Sequence, residues 1–263
     1  MTRQERKAHA FRALHEGTPF VIPNPWDAGS ARVLEALGFE ALATTSSGFA
    51  FTLGRLDSAA TLDEVADHVA ALDRVTELPI SVDLENGYGS LPEAAATAIL
   101  RVAAAGAVGG SIEDYDPSGR LYEVEEATER VAAAVEVARG LGFPFTLTAR
   151  AENHIRGNPD LADTIARLRS YEAAGADVLY APGLRTTEDI GAVCDAVTCP
   201  VNVLALGGMT LSEIAAAGAQ RISVGGGLTW VAVSAFADAA RAIRENGDFS
   251  ALGKSLPLRE WFA

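Results

Sequence analysis

The chain has 263 residues, a formal net charge of −14 and a sequence pI of about 4.7. This acidic balance argues against nucleic acid or an anionic membrane surface as a partner, although a metal or a local arginine still allows an anionic substrate. No apolar run reaches the ~18 residues of a membrane span, and the N-terminal stretch is a charged amphipathic helix rather than a signal peptide. The two cysteines, Cys194 and Cys199, indicate ordinary buried thiols, so we expect a cytoplasmic protein.

After the N-terminal helix, short β-branched runs alternate with Ala-rich amphipathic stretches. The predicted strands are residues 20–24, 40–45, 80–84, 108–113, 145–148, 177–180, 201–204 and 221–224. The predicted helices are residues 27–37, 61–76, 92–105, 123–141, 161–174, 187–197, 211–217 and 228–246. Residues 46–58, 114–121 and 150–158 show no clear period, and we expect loops there.

Eight strands that are apolar on both faces, each followed by a helix, predict a parallel sheet closed into a (β/α)8 TIM barrel. The alternative is an open doubly wound sheet, which usually carries a Gly-rich turn after its first strand, whereas residues 24–27 read NPWD. We expect residues 1–263 to form one barrel domain with an N-terminal helix and a short C-terminal tail. Trp261 and Phe262 in that tail indicate docking onto the barrel or onto a partner subunit.

Polar residues collect where the predicted strands end, which in such a barrel is the functional face. Asp83 and Glu85 are two residues apart at the end of the third strand, so both carboxylates point to the same side. Together with Glu113, after the fourth strand, they form an oxygen-only set that suits Mg²⁺ or Mn²⁺. The competing interpretation is that these acids are helix caps or solvated loop residues.

Arg150, at the end of the fifth strand, keeps its charge and needs an anion, either a neighbouring acid such as Glu152 or a substrate carboxylate. The ends of other strands carry polar or aromatic side chains that could contact a small anionic substrate. The residues that we expect to bind it are Trp26, Ser46, Ser47, Gly48, Asn153 and Asn202.

Taken together, these residues resemble the isocitrate lyase / phosphoenolpyruvate mutase superfamily over about residues 21–228. The motifs that carry the resemblance are NPWDA at 24–28, TSSGF at 45–49, DLENGYG at 83–89, SIED at 111–114 and TARAE at 148–152. The resemblance implies a Mg²⁺-dependent enzyme that acts on a small 2-oxo or 2-hydroxy acid through a stabilised enolate.

By the same resemblance, Asp83 is a direct metal ligand, and Glu85 and Glu113 bind the metal directly or through water. Ser47 and Gly48 match the pair that holds the substrate carboxylate. Arg150 pairs with substrate charge, and Asp57 lies near the reacting atoms. The resemblance does not supply the proton donor, for which Tyr88, Tyr122, Ser118 and a metal-bound water are the candidates, and we count Tyr88 among the expected catalytic residues. The family also implies a homo-oligomer, a dimer or tetramer, whose last helix is exchanged between subunits.

Two departures limit what the resemblance implies. Glu85 stands where the family has aspartate, and the loop after the fourth strand lacks both the Lys-Lys-Cys-Gly-His stretch of isocitrate and methylisocitrate lyases and the pattern of phosphonate mutases. We therefore expect a carbon–carbon lyase or hydrolase. The alternatives are a phosphonopyruvate-type C–P mutase or hydrolase, and a non-catalytic barrel that binds a metabolite.

Overall fold

A computed structural model describes residues 1–253 and 255–262. Its main sheet has eight parallel strands: β1 (Phe20–Ile22), β2 (Leu42–Ala43), β3 (Ile80–Asp83), β4 (Gly109–Glu113), β7 (Thr146–Arg150), β8 (Val178–Tyr180), β9 (Val201–Leu204) and β10 (Arg221–Ser223). They run in the order β1-β10-β9-β8-β7-β4-β3-β2. At the seam, the Ala43 amide donates to Pro23 O at 3.0 Å and Asn24 Nδ2 donates to Thr44 O at 2.9 Å. The sheet is therefore a nearly closed barrel, and the predicted fold class is confirmed.

Helices follow the strands, and several begin at a residue whose side chain caps the first turn. They are α1 (Arg3–Leu14), α2 (Ala28–Ala36), α3 (Ser46–Thr52), α4 (Leu62–Asp73), α5 (Pro92–Ala104), α6 (Val124–Gly140), α7 (Leu161–Ala173), α8 (Thr187–Ala196), α9 (Leu211–Ala216), α10 (Gly227–Asn246) and α11 (Leu258–Trp261). The caps satisfy backbone N–H groups that the first helical turn leaves free. Thr61 and Glu64, for example, form a reciprocal capping box at α4.

Two predicted loops contain regular structure. Residues 46–58 include α3, because Thr45 caps it and Phe49 and Ala50 are buried against the barrel. Residues 114–121 form a hairpin of β5 (Tyr115–Asp116) and β6 (Arg120–Leu121), which Gly119 turns with a φ of +99°. The sequence did not predict either element, because each is defined by tertiary contacts or turn geometry and not by a periodic pattern of hydrophobic residues.

The two ends of the barrel differ. At the N-terminal ends of the strands, α1 inserts Phe11, which is fully buried, and a Cβ on Gly109 would lie 2.7 Å from its ring. The N-terminal helix thus closes this end with an apolar plug. The opposite end carries the polar loops and an open cavity.

The last helix and the tail pack differently from the rest. In α10, Thr229 is the buried residue, while Val231 and Phe236 are 69% and 73% exposed. α11 packs against α2, and Phe262 lies beside Ala28. Within the tail, α11 therefore docks onto the barrel, one of the two arrangements that the sequence left open, whereas Leu252 and Leu256 are more than half exposed. Residues 254 and 263 of the predicted tail lie outside the described residues.

Candidate active site

A cavity of about 190 Å³ lies inside the barrel where the strands end, a size for a small metabolite rather than a drug-sized ligand. Asp57, Asp83 and Arg150 line it, as do Ser46, Ser47 and Asn202. The wall also contains Asn24, Tyr180, Arg221 and Ser223. Residues at the ends of β3, β7, β8 and β9 and loop residues after β2, β7, β8 and β10 thus share one concave surface, as the barrel topology requires.

The three predicted metal ligands lie together but are not equally accessible. Asp83 ends β3 and lines the cavity, and its Oδ2 accepts from the Ser46 backbone N–H at 3.2 Å. Glu85 and Glu113 are only 6% and 7% exposed and stand behind the cavity wall. The backbones of these two glutamates are joined, since the Glu113 N–H donates to Glu85 O at 2.8 Å.

Arg150 ties this acidic group together. Its Nη1 donates to Asp83 Oδ1 at 2.8 Å, and its Nη2 lies 3.0 Å from Glu113 Oε2 and 2.8 Å from Glu152 Oε1. Burial lowers the pKa of Arg150, but the nearby carboxylates outweigh it, so that pKa lies above its usual value. In this structure, therefore, Arg150 is neutralised by neighbouring acids, one of the two arrangements that the sequence left open.

A second layer of contacts holds Glu152, which is 1% exposed. The Arg156 Nε lies 3.2 Å from Glu152 Oε2, and the Glu152 N–H donates to Asp114 Oδ1 at 2.7 Å. Asp114 in turn accepts from Arg167 at 3.0 Å and from the Tyr171 hydroxyl at 2.6 Å. Asp114 is therefore a structural residue beneath the site.

Burial and neighbouring carboxylates raise the pKa values of Glu85 and Glu113. Burial, and then Asp83 and Asp57, raise the pKa of Glu85 to about 7. Burial also raises the pKa of Glu113, and the negative charges of Glu152 and Asp83 raise that pKa further. Carboxylates held in this state are stabilised by a cation.

Asp83 offers carboxylate oxygens of the kind that hard divalent cations prefer, and the buried Glu85 and Glu113 add negative charge behind it. Among the described residues, no three His, Cys, Asp or Glu side chains stand as a ready ligand cluster. Arg150 contacts both Asp83 and Glu113. Mg²⁺ commonly keeps several waters and few protein ligands, so one accessible carboxylate backed by two buried ones suits it.

Unusual backbone geometry also concentrates here. The described residues other than glycine with positive φ are Ser58, Glu85 and Tyr88, at +62°, +48° and +62°. Such conformations cost on the order of 1–3 kcal/mol each and persist where the surroundings impose them. Ser58 and Asp57 both influence the pKa of Glu85, so the loop that carries them lies beside the acidic group.

Several predicted site residues do not line the cavity. The Tyr88 hydroxyl faces Glu85 Oε1 at 3.4 Å, outside the cavity wall. Gly48 is buried where α3 meets α10, since a Cβ there would lie 2.7 Å from Thr229 Oγ1 and 3.1 Å from Trp26 Cβ. Asn153 is fully buried and donates to Asn158 O, Asp160 O and Thr164 Oγ1, so it supports its own loop. Trp26, Gly48, Tyr88 and Asn153 are thus not part of the cavity lining, and a role for them in substrate binding or catalysis stays a prediction.

Tyr180 and Arg221 are among the wall residues that were not predicted as site residues. Tyr180 ends β8, and Arg150 lies over its ring at 5.1 Å. Arg221 begins β10 and was missed because only the carboxyl ends of strands were considered functional. A charged residue at the first position of an otherwise apolar strand is the signal that identifies it.

A search of the described residues for helices long and apolar enough to cross a membrane finds none.

Comparison with known proteins agrees with this geometry. Residues 11–244 match the family model described as phosphoenolpyruvate phosphomutase. The crystal structure of a candidate lyase/mutase from Burkholderia cenocepacia J2315 is 50% identical, covers 99% of this chain and 98% of its own, and has a TM-score of 0.97. A candidate phosphonomutase from the same organism is 38% identical over 90% of this chain and 98% of its own, with a TM-score of 0.86.

An oxaloacetate decarboxylase of Bradyrhizobium sp. strain BTAi1 is 33% identical over 81% of this chain and 73% of its own length. The family match spans most of the chain, and these relatives are lyases and mutases by description. The chain therefore belongs to the phosphoenolpyruvate mutase/isocitrate lyase superfamily of enzymes.

Proposed function

We propose that this protein is a Mg²⁺-dependent lyase that cleaves or hydrolyses a carbon–carbon bond in a small 2-oxo or 2-hydroxy dicarboxylic acid. The observation that carries this proposal is the acidic group around Asp83, which opens into a small cavity beside Ser46 and Arg150. The oxaloacetate decarboxylase relatives support the same substrate class.

Asp83 would bind the metal directly, and Glu85 and Glu113 behind it would add negative charge that favours the bound cation. When bound, Mg²⁺ or Mn²⁺ would supply the positive charge that stabilises an enolate. Ser46 and Ser47, at the N-terminus of α3, lie where the carboxylate head of the substrate would meet hydroxyl and N–H donors. Asp57, on the loop between α3 and α4, lines the same cavity.

Tyr180 is the phenol best placed to move a proton. It lines the cavity, and burial raises the pKa of its hydroxyl to about 12, so the hydroxyl is protonated at neutral pH. We infer that it donates a proton to the carbon released by bond cleavage and regains one from solvent. This role replaces the one expected of Tyr88, whose hydroxyl faces Glu85 instead.

A C–P mutase or hydrolase is the second candidate, favoured by the phosphonomutase relative. Against it, residues 115–120 read YDPSGR and fold into the β5–β6 hairpin without the residue pattern of those enzymes. The reaction products separate the two candidates.

We also propose that the protein works as a homo-oligomer through α10. Its exposed apolar residues, Trp230, Val231 and Phe236, lie on a helix that projects from the barrel. A partner subunit that covers this helix would bury them, as the exchanged last helix of the family implies.

A substrate panel tests the proposed reaction. Purified protein with Mg²⁺ is given oxaloacetate, 2-methylmalate and phosphonopyruvate, and pyruvate, oxalate, glyoxylate and phosphate are measured. Because divalent metals decarboxylate oxaloacetate unaided, the matched control is the Asp83→Asn variant under the same conditions. We expect EDTA-sensitive turnover of a diacid in the wild type alone. Phosphate release from phosphonopyruvate would favour the second candidate, and equal rates in wild type and variant would refute both.

A further inference from the structure

The cavity wall contains two arginines in opposite electrostatic states. Arg150 has three carboxylates within ion-pair distance. Arg221, which is 4% exposed, is bound by neutral groups: Asn202 Oδ1 at 2.8 Å, Thr148 Oγ1 at 2.9 Å and His15 Nε2 at 3.3 Å. No carboxylate of the described residues lies within ion-pair distance of Arg221. The cation without a counter-charge in this cavity is therefore Arg221, not Arg150.

The histidine partner of Arg221 is neutral. His15 Nδ1 lies 2.8 Å from the Phe11 carbonyl oxygen, which only accepts, so Nδ1 carries the proton. The other ring nitrogen, Nε2, is then an acceptor for the Arg221 Nη1. Burial and the charge of Arg221 lower the pKa of His15 to about 3, so His15 adds no charge at neutral pH.

The hydrogen bonds of Arg221 leave capacity for a ligand. A guanidinium has five N–H groups, and the three acceptors use one on Nε, one on Nη1 and one on Nη2. One N–H remains on each terminal nitrogen, which is the number that a carboxylate accepts in a bidentate pair. Asn202 is fixed between Arg221 and the Ser223 hydroxyl, at 3.0 Å, so it positions the guanidinium.

Burying an unpaired charge is costly unless a partner enters with it. Arg221 begins β10, whereas Gly225, which lies beyond the end of β10, lines the same cavity. The cavity thus runs inward from the acidic group at the strand ends to Arg221 near the barrel centre. An acid whose head lies at Asp83 and Ser46 would point its far end towards Arg221.

We propose that Arg221 binds the second carboxylate of the substrate and so selects diacids over monoacids. This inference rests on the proposed function, because that function places the first carboxylate at the opposite end of the cavity. Arg221 is then a specificity residue, and Asn202 acts through it as a positioning residue.

Malate and lactate test this role, because they share a 2-hydroxy acid head and differ in the distal carboxylate. Their affinities, and that of oxalate as a probe of the head site, are measured by calorimetry with Mg²⁺ in chloride-free buffer. The proteins are the wild type, Arg221→Gln and Arg221→Lys. Thermal unfolding shows that each variant is folded.

We expect the wild type to bind malate roughly tenfold or more tightly than lactate. Arg221→Gln should lose this preference and keep its oxalate affinity, and Arg221→Lys should retain part of the preference. A wild type that does not distinguish malate from lactate would overturn the inference, as would a glutamine variant that keeps the preference or weakens oxalate and malate equally. If the wild type does not bind oxalate but its binding of malate still depends on Arg221, the result would instead count against the proposed metal site.

Discussion

Arg150 Nη1 donates to Asp83 Oδ1 at 2.8 Å, and this contact joins the ends of β7 and β3, which flank β4 in the sheet. The same guanidinium contacts Glu113 and Glu152, so one cation holds three buried or half-buried acids. The residue that we propose as the metal ligand is therefore also part of the ion-pair network that stabilises the barrel end.

Replacing Arg150 by Gln should destabilise the protein strongly, because the acids would be left without their cation. We expect a loss of about 3–5 kcal/mol in the free energy of unfolding, as for broken buried pairs. Arg139→Gln is the matched control, since Arg139 pairs with Asp177 at 2.7 Å on the surface and should contribute about 1 kcal/mol or less. Urea denaturation measures both, and equal losses would show that the network is not a stabilising feature.

The two tyrosines near the acidic group should differ in their effect on turnover. Tyr180→Phe removes a hydroxyl from the cavity wall, and we expect kcat to fall by roughly 10²–10⁴-fold, the range for a lost general acid. Tyr88→Phe removes a hydroxyl that faces Glu85 behind the wall and should change kcat by less than about tenfold. Steady-state kinetics on the active substrate compares them, and the reverse order would restore Tyr88 as the proton donor.

His15 should give the protein a measurable pH dependence of stability. Its pKa is about 3 in the folded state against the usual value of 6.5, so between these values the unfolded chain binds the proton and the native state does not. Stability therefore falls as pH decreases below about 6.5, by roughly 1.4 kcal/mol between about pH 7.5 and about pH 5.5 from this group.

His15→Gln keeps a side chain that can accept from Arg221 and removes the titration. The difference in unfolding free energy between wild type and variant should shrink or reverse as the pH is lowered over this range. A difference that is constant with pH would show that His15 titrates normally in the native protein.

The exposed side of α10 should control the oligomeric state. Phe236→Asp places a charge on an apolar surface that we expect a partner subunit to cover, and light scattering after size exclusion should then show a smaller species. Leu100→Asp is the control, because Leu100 is an exposed apolar residue on α5 that has no role in the proposed contact. A monomeric wild-type protein would contradict the proposal that the protein forms a homo-oligomer through α10.

The sequence predicted the barrel well because its strands are short apolar runs separated by capped helices. Each of the eight strands is present, with ends that shift by a few residues, such as 40–45 against Leu42–Ala43. α3 could not be recognised, since the Ser-Ser-Gly start gives no period and the helix depends on burial of Phe49. Boundaries of this kind are set by neighbours in space rather than by local preference.

The sequence predicted which acidic residues belong to the site better than it predicted which side chains contact one another there. The spacing of Asp83 and Glu85 predicted a shared side of one strand, but β3 ends at Asp83 and Glu85 lies in a turn with a φ of +48°. Asp83 therefore lines the cavity, whereas Glu85 lies behind its wall, joined to the Glu113 backbone. Which anion would pair with Arg150 depended on side chains from three strands. The burial of Asn153 depended on a loop that folds back to Thr164. Neither relationship is contained in local sequence.

Binding of oxalate with Mg²⁺ is the most direct test of the proposed metal site. Calorimetry should show that the wild type binds oxalate only when Mg²⁺ is present, since oxalate resembles an enolpyruvate and would share the metal with Asp83. Asp83→Asn, which keeps the shape of the side chain and removes its charge, should lose at least about tenfold in oxalate affinity while remaining folded. Oxalate binding that is equal with and without Mg²⁺, or unchanged in Asp83→Asn, would contradict the metal-dependent site proposed for this cavity.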